Sequence, residues 1–316
     1  MNIDDLVARA RRGDARAVAR LISLVENASP SLRQVMTALM PHAGNAWVIG
    51  LTGSPGVGKS TSTSVLVSAF RRAGKRVGVL AVDPSSPFSG GALLGDRVRM
   101  QEHALDDGVY IRSMASRGHL GGLSWSTPQA LRVLDAAGCD VVLVETVGVG
   151  QAEVEVASLA DTTVVLVAPG MGDAIQAAKA GILEVADVFV VNKADRDGAD
   201  QTARDLRHML SLGERRRPGE WQPPIVKTVA AKGEGVDELV DALDKHRSWL
   251  AESGRLDARR RLRAADEIES IAVASLRERM GDLRGGSLLD QLAGRVVAGE
   301  IDPYSAADEL VAGVTA

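Results

Sequence analysis

The chain has 316 residues, of which 45% are apolar, with a formal net charge of −4 and a single cysteine. That length accommodates one large α/β domain with appendages and an ample core, and the near-balanced charge gives no electrostatic case for a nucleic-acid or anionic-membrane partner. The one cysteine, Cys139, excludes a disulfide framework within the chain and, lying just ahead of an apolar strand, reads as a buried thiol.

The first five residues, Met1-Asn2-Ile3-Asp4-Asp5, lack a basic head leading into an apolar core, and no apolar run approaches the roughly 20 residues that span a bilayer. A cytoplasmic protein with no membrane partner is expected. Residues 1–42 form a helical N-terminal extension: Leu6, Ala10, Ala17, Leu21 and Leu24 share one side of a first helix, Asn27 to Pro30 break it, and a second helix runs from Ser31 to Met40. Over residues 43–252, β-rich runs at 47–51, 77–82, 141–145, 163–167, 188–191 and 225–229 alternate with helical patterns. Such alternation predicts a doubly wound, mostly parallel sheet with helices on both faces. The helical stretch Thr61–Arg72 makes the second strand parallel to the first by the right-handed crossover rule.

The first run is followed at once by Gly53-Ser54-Pro55-Gly56-Val57-Gly58-Lys59-Ser60, which meets the spacing of the Walker A phosphate loop. Glycines let successive backbone N–H groups turn inward around phosphates, and the helix opening at Ser60 and Thr61 presents its positive end to them. Lys59 is placed to reach the β/γ-phosphates and Ser60 to meet Mg²⁺. The run at 188–191 ends in Asn192-Lys193-Ala194-Asp195, the N-K-x-D pattern that reads guanine. Its aspartate accepts from N1–H and the exocyclic amino group, a donor pair adenine lacks. After the run at 225–229, Ala230-Ala231-Lys232 resembles the S-A-K loop whose backbone amide meets the guanine carbonyl, with alanine replacing the usual serine. The substrate and product are therefore read as GTP and GDP.

Two acids emerge at the carboxyl edge of the sheet, Asp83 after the second run and Glu145 at the end of the third, where open α/β sheets bind ligands. Both are candidates for contacts to Mg²⁺ through its waters, and Asp96 in Gly95-Asp96-Arg97 is a third. Gly148, in Glu145-Thr146-Val147-Gly148, can offer its amide to the γ-phosphate. Ras-like enzymes, whose second strand is antiparallel, place a water-orienting glutamine directly after that glycine. Here Val149 stands there and Gln151 lies two residues on, so intrinsic hydrolysis is expected to be slow.

Together with Val82-Asp83-Pro84-Ser85-Ser86, Gly90-Gly91-Ala92-Leu93-Leu94-Gly95-Asp96-Arg97, Glu145-Thr146-Val147-Gly148-Val149-Gly150-Gln151 and the tail Asp302-Pro303-Tyr304-Ser305-Ala306-Ala307, these motifs resemble the MeaB/ArgK family over about residues 3–312. The resemblance implies a P-loop GTPase that chaperones adenosylcobalamin-dependent methylmalonyl-CoA mutase, or a related cobalamin-dependent acyl-CoA mutase, gating cofactor loading and protecting the mutase from inactivation. It also implies that Asp83, Asp96 and Glu145 are the Mg²⁺-associated acids. Ala168 through Lys179 matches the family's third switch, and Lys179 is the candidate positive charge that a partner repositions against the γ-phosphate. His119, in a glycine-rich stretch, is more simply an ordinary loop histidine.

Residues 253–316 differ in kind. Leu262, Ala265, Ile268, Ala272, Leu276, Met280 and Leu283 draw an apolar stripe on a helix after an arginine-rich break at 255–263, in which Arg259, Arg260, Arg261 and Arg263 read as a solvated hinge. The family uses this region as a dimerisation arm, so the resemblance implies a homodimer. Two alternatives stay open: a nucleotide-dependent kinase of the ArgK (LAO/AO transport) type, and a metallochaperone GTPase. The first lacks an evident acceptor domain or base-bearing loop, and the second would ordinarily show a Cys/His cluster.

Overall fold

The computed structural model describes residues 2–83, 100–115, 126–146, 152–170, 182–212, 219–280 and 287–315. Three helices come first: α1 (Ile3–Arg11), α2 (Ala15–Glu26) and α3 (Leu32–Leu39). The single long helix expected before Asn27 is therefore two. Gly13 adopts φ +93°, and Asp14 then caps α2 by accepting from the amides of Arg16 and Ala17 at 2.9 and 3.2 Å. An Asp side chain satisfies the orphan donors of a new helix better than it continues an old one.

The alternating region follows as β1 (Trp47–Gly53), α4 (Lys59–Arg72), β2 (Val77–Asp83), β3 (Val109–Ala115), α5 (Thr127–Ala136), β4 (Val141–Thr146), α6 (Ala152–Leu159), β5 (Thr162–Val167), α7 (Ile182–Val185), β6 (Val188–Val191), α8 (Ala199–Leu212), β7 (Ile225–Lys227) and α9 (Val236–Glu252). The strands lie in the order β3-β2-β4-β1-β5-β6-β7, every neighbouring pair parallel. The fold class expected from the alternation is observed, with β2 parallel as the crossover rule requires.

One strand is additional. The segment Val109 to Ala115 pairs with β2 at the sheet's edge, Ala81 opposite Ser113. Its apolar pattern is interrupted by Arg112 and Ser113, as an edge position tolerates. Arg112 turns this to use by pairing with Glu26 of α2, which ties the N-terminal helices to the edge.

The sheet is buried on both faces. Leu80, Val82, Val142 and Val144 meet α1–α3 and α5 in one core, while Ile49, Leu51, Val79, Leu143 and Val164 meet α4 and α9 in another. The N-terminal helices thus cover a sheet face that would otherwise expose contiguous apolar surface.

At the amino ends of β1, β5 and β6 a polar network is sealed from water. The Trp47 indole N–H donates to Thr162 Oγ1 (3.0 Å), which meets His246 Nδ1 (2.9 Å), and His246 Nε2 lies 3.2 Å from Asp187. Because an indole can only donate, the Thr162 hydroxyl has its proton available for Nδ1. Trp221 and Trp249 flank the His246 ring. Asp187 also receives both arms of Arg259 at 2.8 and 2.9 Å. Arg259 is therefore an ion-pair partner and not part of a solvated hinge. The arginine-rich stretch lies inside a continuous helix, α10 (Arg255–Met280), whereas a break was expected there.

Residues 1–259 and 260–316 form two compact units. In the second, α11 (Ser287–Val297) and α12 (Pro303–Thr315) are joined by Arg295 and Glu309 at 2.6 Å, with Leu292 and Ala306 buried. Leu262, Ile268 and Leu276 of the α10 stripe are exposed, and Leu283 lies outside the described residues. Among the described residues, no helix is long and apolar enough to cross a membrane.

Burial alone pushes the Asp187 carboxyl up, but the close approach of His246 and the paired Arg259 guanidinium outweigh it and hold it below the ordinary carboxylate value. Arg259→Met should destabilise the protein by about 2–3 kcal/mol, less than a fully sealed pair because the guanidinium is 39% exposed. A depressed carboxylate contributes stability above its unfolded pKa and loses it as pH falls through the folded one. The gap between wild type and variant, measured by urea denaturation, should thus be widest near neutrality and narrow below about pH 4.

Candidate functional site

Strand β1 delivers Gly53 to the carboxyl edge of the sheet, and the chain then turns through Ser54, Pro55, Gly56, Val57 and Gly58 into α4. Gly53, Gly56 and Gly58 adopt φ of +141°, +80° and +96°, values that favour glycine. At Gly58 the need is also spatial, since a Cβ there would lie 2.4 Å from Asn192 Nδ2. Lys59, the first residue of α4, folds its ammonium back over the loop and donates to the carbonyls of Gly53 (2.7 Å) and Ser54 (3.1 Å). A buried ammonium thus stands at a helix N-terminus beside a glycine-rich loop, a concentration of positive potential suited to phosphate.

Ser60 and Thr61 follow on α4. Ser60 Oγ donates to Glu145 Oε1 at 2.6 Å, and Thr63, one turn along, donates to Glu145 Oε2 at 3.0 Å. Glu145 is only 5% exposed and carries its charge into the interior, where two hydroxyls steady it. Thr63 is a site residue that motif reading missed. Its signal was its position three residues after Ser60, which puts both on one helix face. Asp83 ends β2 two residues past Ala81, the register partner of Glu145, so both acids belong to the same edge. Ser60 and Glu145 are hard oxygen donors in direct contact, a set that suits Mg²⁺.

The loops carrying Asn192–Asp195 and Ala230–Lys232 arrive from β6 and β7. Asn192 is buried and spends both ends of its carboxamide. Its Nδ2 donates to the Val57 carbonyl (2.8 Å), and its Oδ1 accepts from Thr228 Oγ1 and the Ala230 amide, both at 3.1 Å. Lys193 holds φ at +56°, uncommon outside glycine, and its ammonium reaches the Gly56 carbonyl at 2.5 Å. The Ala194 amide donates to the Thr228 carbonyl at 3.0 Å. Asp195 faces Lys232 at 3.1 Å across the gap between the loops. Lys232 belongs to the short turn Ala230–Lys232, with Ala231 between, which Gly233 ends at φ +74°.

The structure thus brings together the phosphate loop, Ser60 with Glu145, and the residues of 192–195 and 230–232. Ala168 and Gly170, at the start of the stretch expected to act as a third switch, follow β5 at the same edge. Asp96, His119, Gly148, Gln151 and Lys179 lie outside the described residues, as does the Asp83 side chain.

Gly58→Ala tests the joint between the two halves of this site. The substitution meets both a positive φ and the Asn192 amide, and should cost about 1–3 kcal/mol of stability, read from denaturation midpoints. Asn192→Ala removes the clash but leaves the φ penalty and unpairs Val57, Thr228 and Ala230, so in a double-mutant cycle the combined loss should be less than the sum of the two separate losses.

The profile of the family described as methylmalonyl Co-A mutase-associated GTPase MeaB matches residues 18–283. A Pyrococcus abyssi relative is 49% identical over 311 residues, 98% of this chain and 96% of that protein. The Escherichia coli GTPase ArgK is 41% identical over 257 residues, 79% of this chain and 77% of its own. Among solved structures, that of a LAO/AO transport system kinase superposes with a TM-score of 0.75 at 29% identity, covering 100% of this chain and 99% of that one. Sheet order, site geometry and sequence agree: the chain belongs to the MeaB family of methylmalonyl Co-A mutase-associated GTPases.

Proposed function

We propose that this GTPase uses its nucleotide cycle to chaperone methylmalonyl-CoA mutase or a related cobalamin-dependent acyl-CoA mutase, gating cofactor loading and protecting the enzyme from inactivation. The family's association with methylmalonyl-CoA mutase supports the partner. The observation that carries the nucleotide reading is the convergence of Lys59, the Ser60–Glu145 contact and Asp195 on loops joined through Asn192.

In this reading GTP lies with its phosphates over Gly53–Ser60, where Lys59 leaves the loop carbonyls to meet the β/γ-oxygens. Ser60, with Glu145, Asp83 and Asp96, would hold Mg²⁺. The ion neutralises charge on the β/γ-oxygens when bound. Asp195 accepts from guanine's paired donors, and the 230–232 turn presents backbone amides to its carbonyl. Gly148 senses the γ-phosphate through its amide. Gln151 orients water, and Lys179 supplies a charge that arrives only when the mutase reorders the 168–179 stretch. The exposed apolar residues Leu262, Ile268 and Leu276 support a homodimer through α10, since a row of this kind calls for a covering surface.

A pull-down from native extract, with and without a non-hydrolysable GTP analogue, tests the partner, and failure to recover any cobalamin-dependent mutase under either condition would overturn it. With γ-labelled GTP, label should appear as free phosphate; transfer to a protein or small-molecule acceptor would favour a kinase. Lys59→Ala should lower hydrolysis by at least about 10²-fold, the scale of losing one preorganised electrostatic contact, with the circular dichroism spectrum unchanged. Lys179→Ala should keep the slow basal rate and the mutase complex yet lose most of the mutase-stimulated rate, measured as turnover with saturating mutase.

A further inference from the structure

Asp195 and Lys232 meet in a 3.1 Å ion pair that joins the two loops flanking the site where a base would bind. Both residues sit on loops with little freedom to separate. The Asn192 carboxamide accepts from Ala230, Ala194 donates to the Thr228 carbonyl, and the Val229 amide donates to the Glu234 carbonyl at 3.0 Å, closing the turn that carries Lys232. Gly235 completes this closure, because a Cβ there would lie 2.2 Å from the Lys227 carbonyl. Residue 230 is an alanine, so the turn offers Asp195 a methyl at that point and no hydroxyl. The ammonium of Lys232 is the donor that the turn aims at the carboxylate.

A carboxylate reading two parallel donors must present both oxygens in one plane, and an unanchored Asp side chain rotates about χ2 with little cost. A cation fixed on the outer side of one oxygen removes that freedom and leaves inner lone pairs for the base. We propose that Lys232 is a positioning residue for base selection: paired with Asp195, it orients the carboxylate so that guanine's two donors meet both oxygens, acting by charge and without itself touching the base. The inference rests on the guanine reading given above.

The charges around the pair agree in sign. Lys232 is the main cause holding the Asp195 carboxyl below its ordinary value, Arg196 adds to it, and Glu234 faces Lys232 and favours its charged form. Both side chains are substantially exposed, at 41% for Asp195 and 56% for Lys232. The pair should therefore be salt-sensitive and modest in strength.

The test compares Lys232→Met, which keeps the stem and removes the charge, with Lys232→Arg and wild type, using Mg²⁺ with GDP, IDP and ADP as probes in titration calorimetry. IDP lacks the exocyclic amino group and so offers Asp195 one donor in place of two. In Lys232→Met, GDP affinity should fall about two- to fivefold, the range of an exposed ion pair. IDP should lose less, so the GDP/IDP ratio narrows, and Lys232→Arg should restore it. At about 0.5 M salt wild type should approach the Met variant. On acidification, GDP binding should fail at a higher pH in the Met variant than in wild type, because the depressed carboxylate has lost its cation. Phosphate protonation is common to both proteins and cancels in that comparison.

Tighter GDP binding by Lys232→Met would show that the ammonium competes with the base, and would overturn the proposal. An equal loss for GDP, IDP and ADP, or an unchanged GDP/IDP ratio and acid limb, would overturn it as well. Failure of the underlying reading looks different: wild type itself would then not distinguish GDP from ADP.

Discussion

The Asn192 carboxamide fixes the geometry on which the nucleotide site depends. Buried, it can satisfy its donors and acceptors only through neighbours in the protein, and those neighbours belong to two separate loops: Val57 in the phosphate loop, and Thr228 and Ala230 ahead of the base turn. Leaving any of them unpaired in the interior would cost on the order of 1–3 kcal/mol. The phosphate and base halves of the site are therefore held in register by the cost of burying polar atoms. Lys193 repeats the tie from the next residue by reaching Gly56, and its strained φ is the local cost of that reach.

The same logic governs the charges. Glu145 lies at the end of a fully buried strand, where an ionised carboxylate survives only with partners. Ser60 and Thr63 supply them from α4, so the helix that opens the phosphate loop is locked to β4 at the point where a divalent cation would be held. Lys59, also buried, is satisfied by loop carbonyls and can exchange them for phosphate oxygens without crossing water. The site is thus preorganised around charges already desolvated, which is what makes their later interactions strong.

At the opposite edge the arrangement is structural. Trp47, Thr162 and Asp187 stand at the amino ends of β1, β5 and β6, whose carboxyl ends lead into the phosphate loop, the segment from Ala168 and the Asn192–Asp195 motif. The network running from Trp47 to Arg259 fixes those three strands at their feet, and Arg259 lies in the first turns of α10, the helix leading to the C-terminal unit.

Local requirements made much of this legible in advance. A phosphate loop needs glycines where φ is positive and a lysine where the helix begins, and the parallel sheet follows from β-branched runs separated by helical ones, so both are written in contiguous residues such as Gly53–Ser60 and Asn192–Asp195. The break at Gly13-Asp14 was equally local, but it interrupts an apolar stripe that continues on both sides of it. What tertiary structure alone decided are pairings between residues far apart in the chain: Arg112 with Glu26, Thr63 with Glu145, His246 with Asp187, Arg259 with Asp187, and Lys232 with Asp195. None has a sequence period, because a parallel sheet sets neighbours by crossover and register. A charged or hydroxyl side chain then acquires its role from whichever partner the fold carries to it.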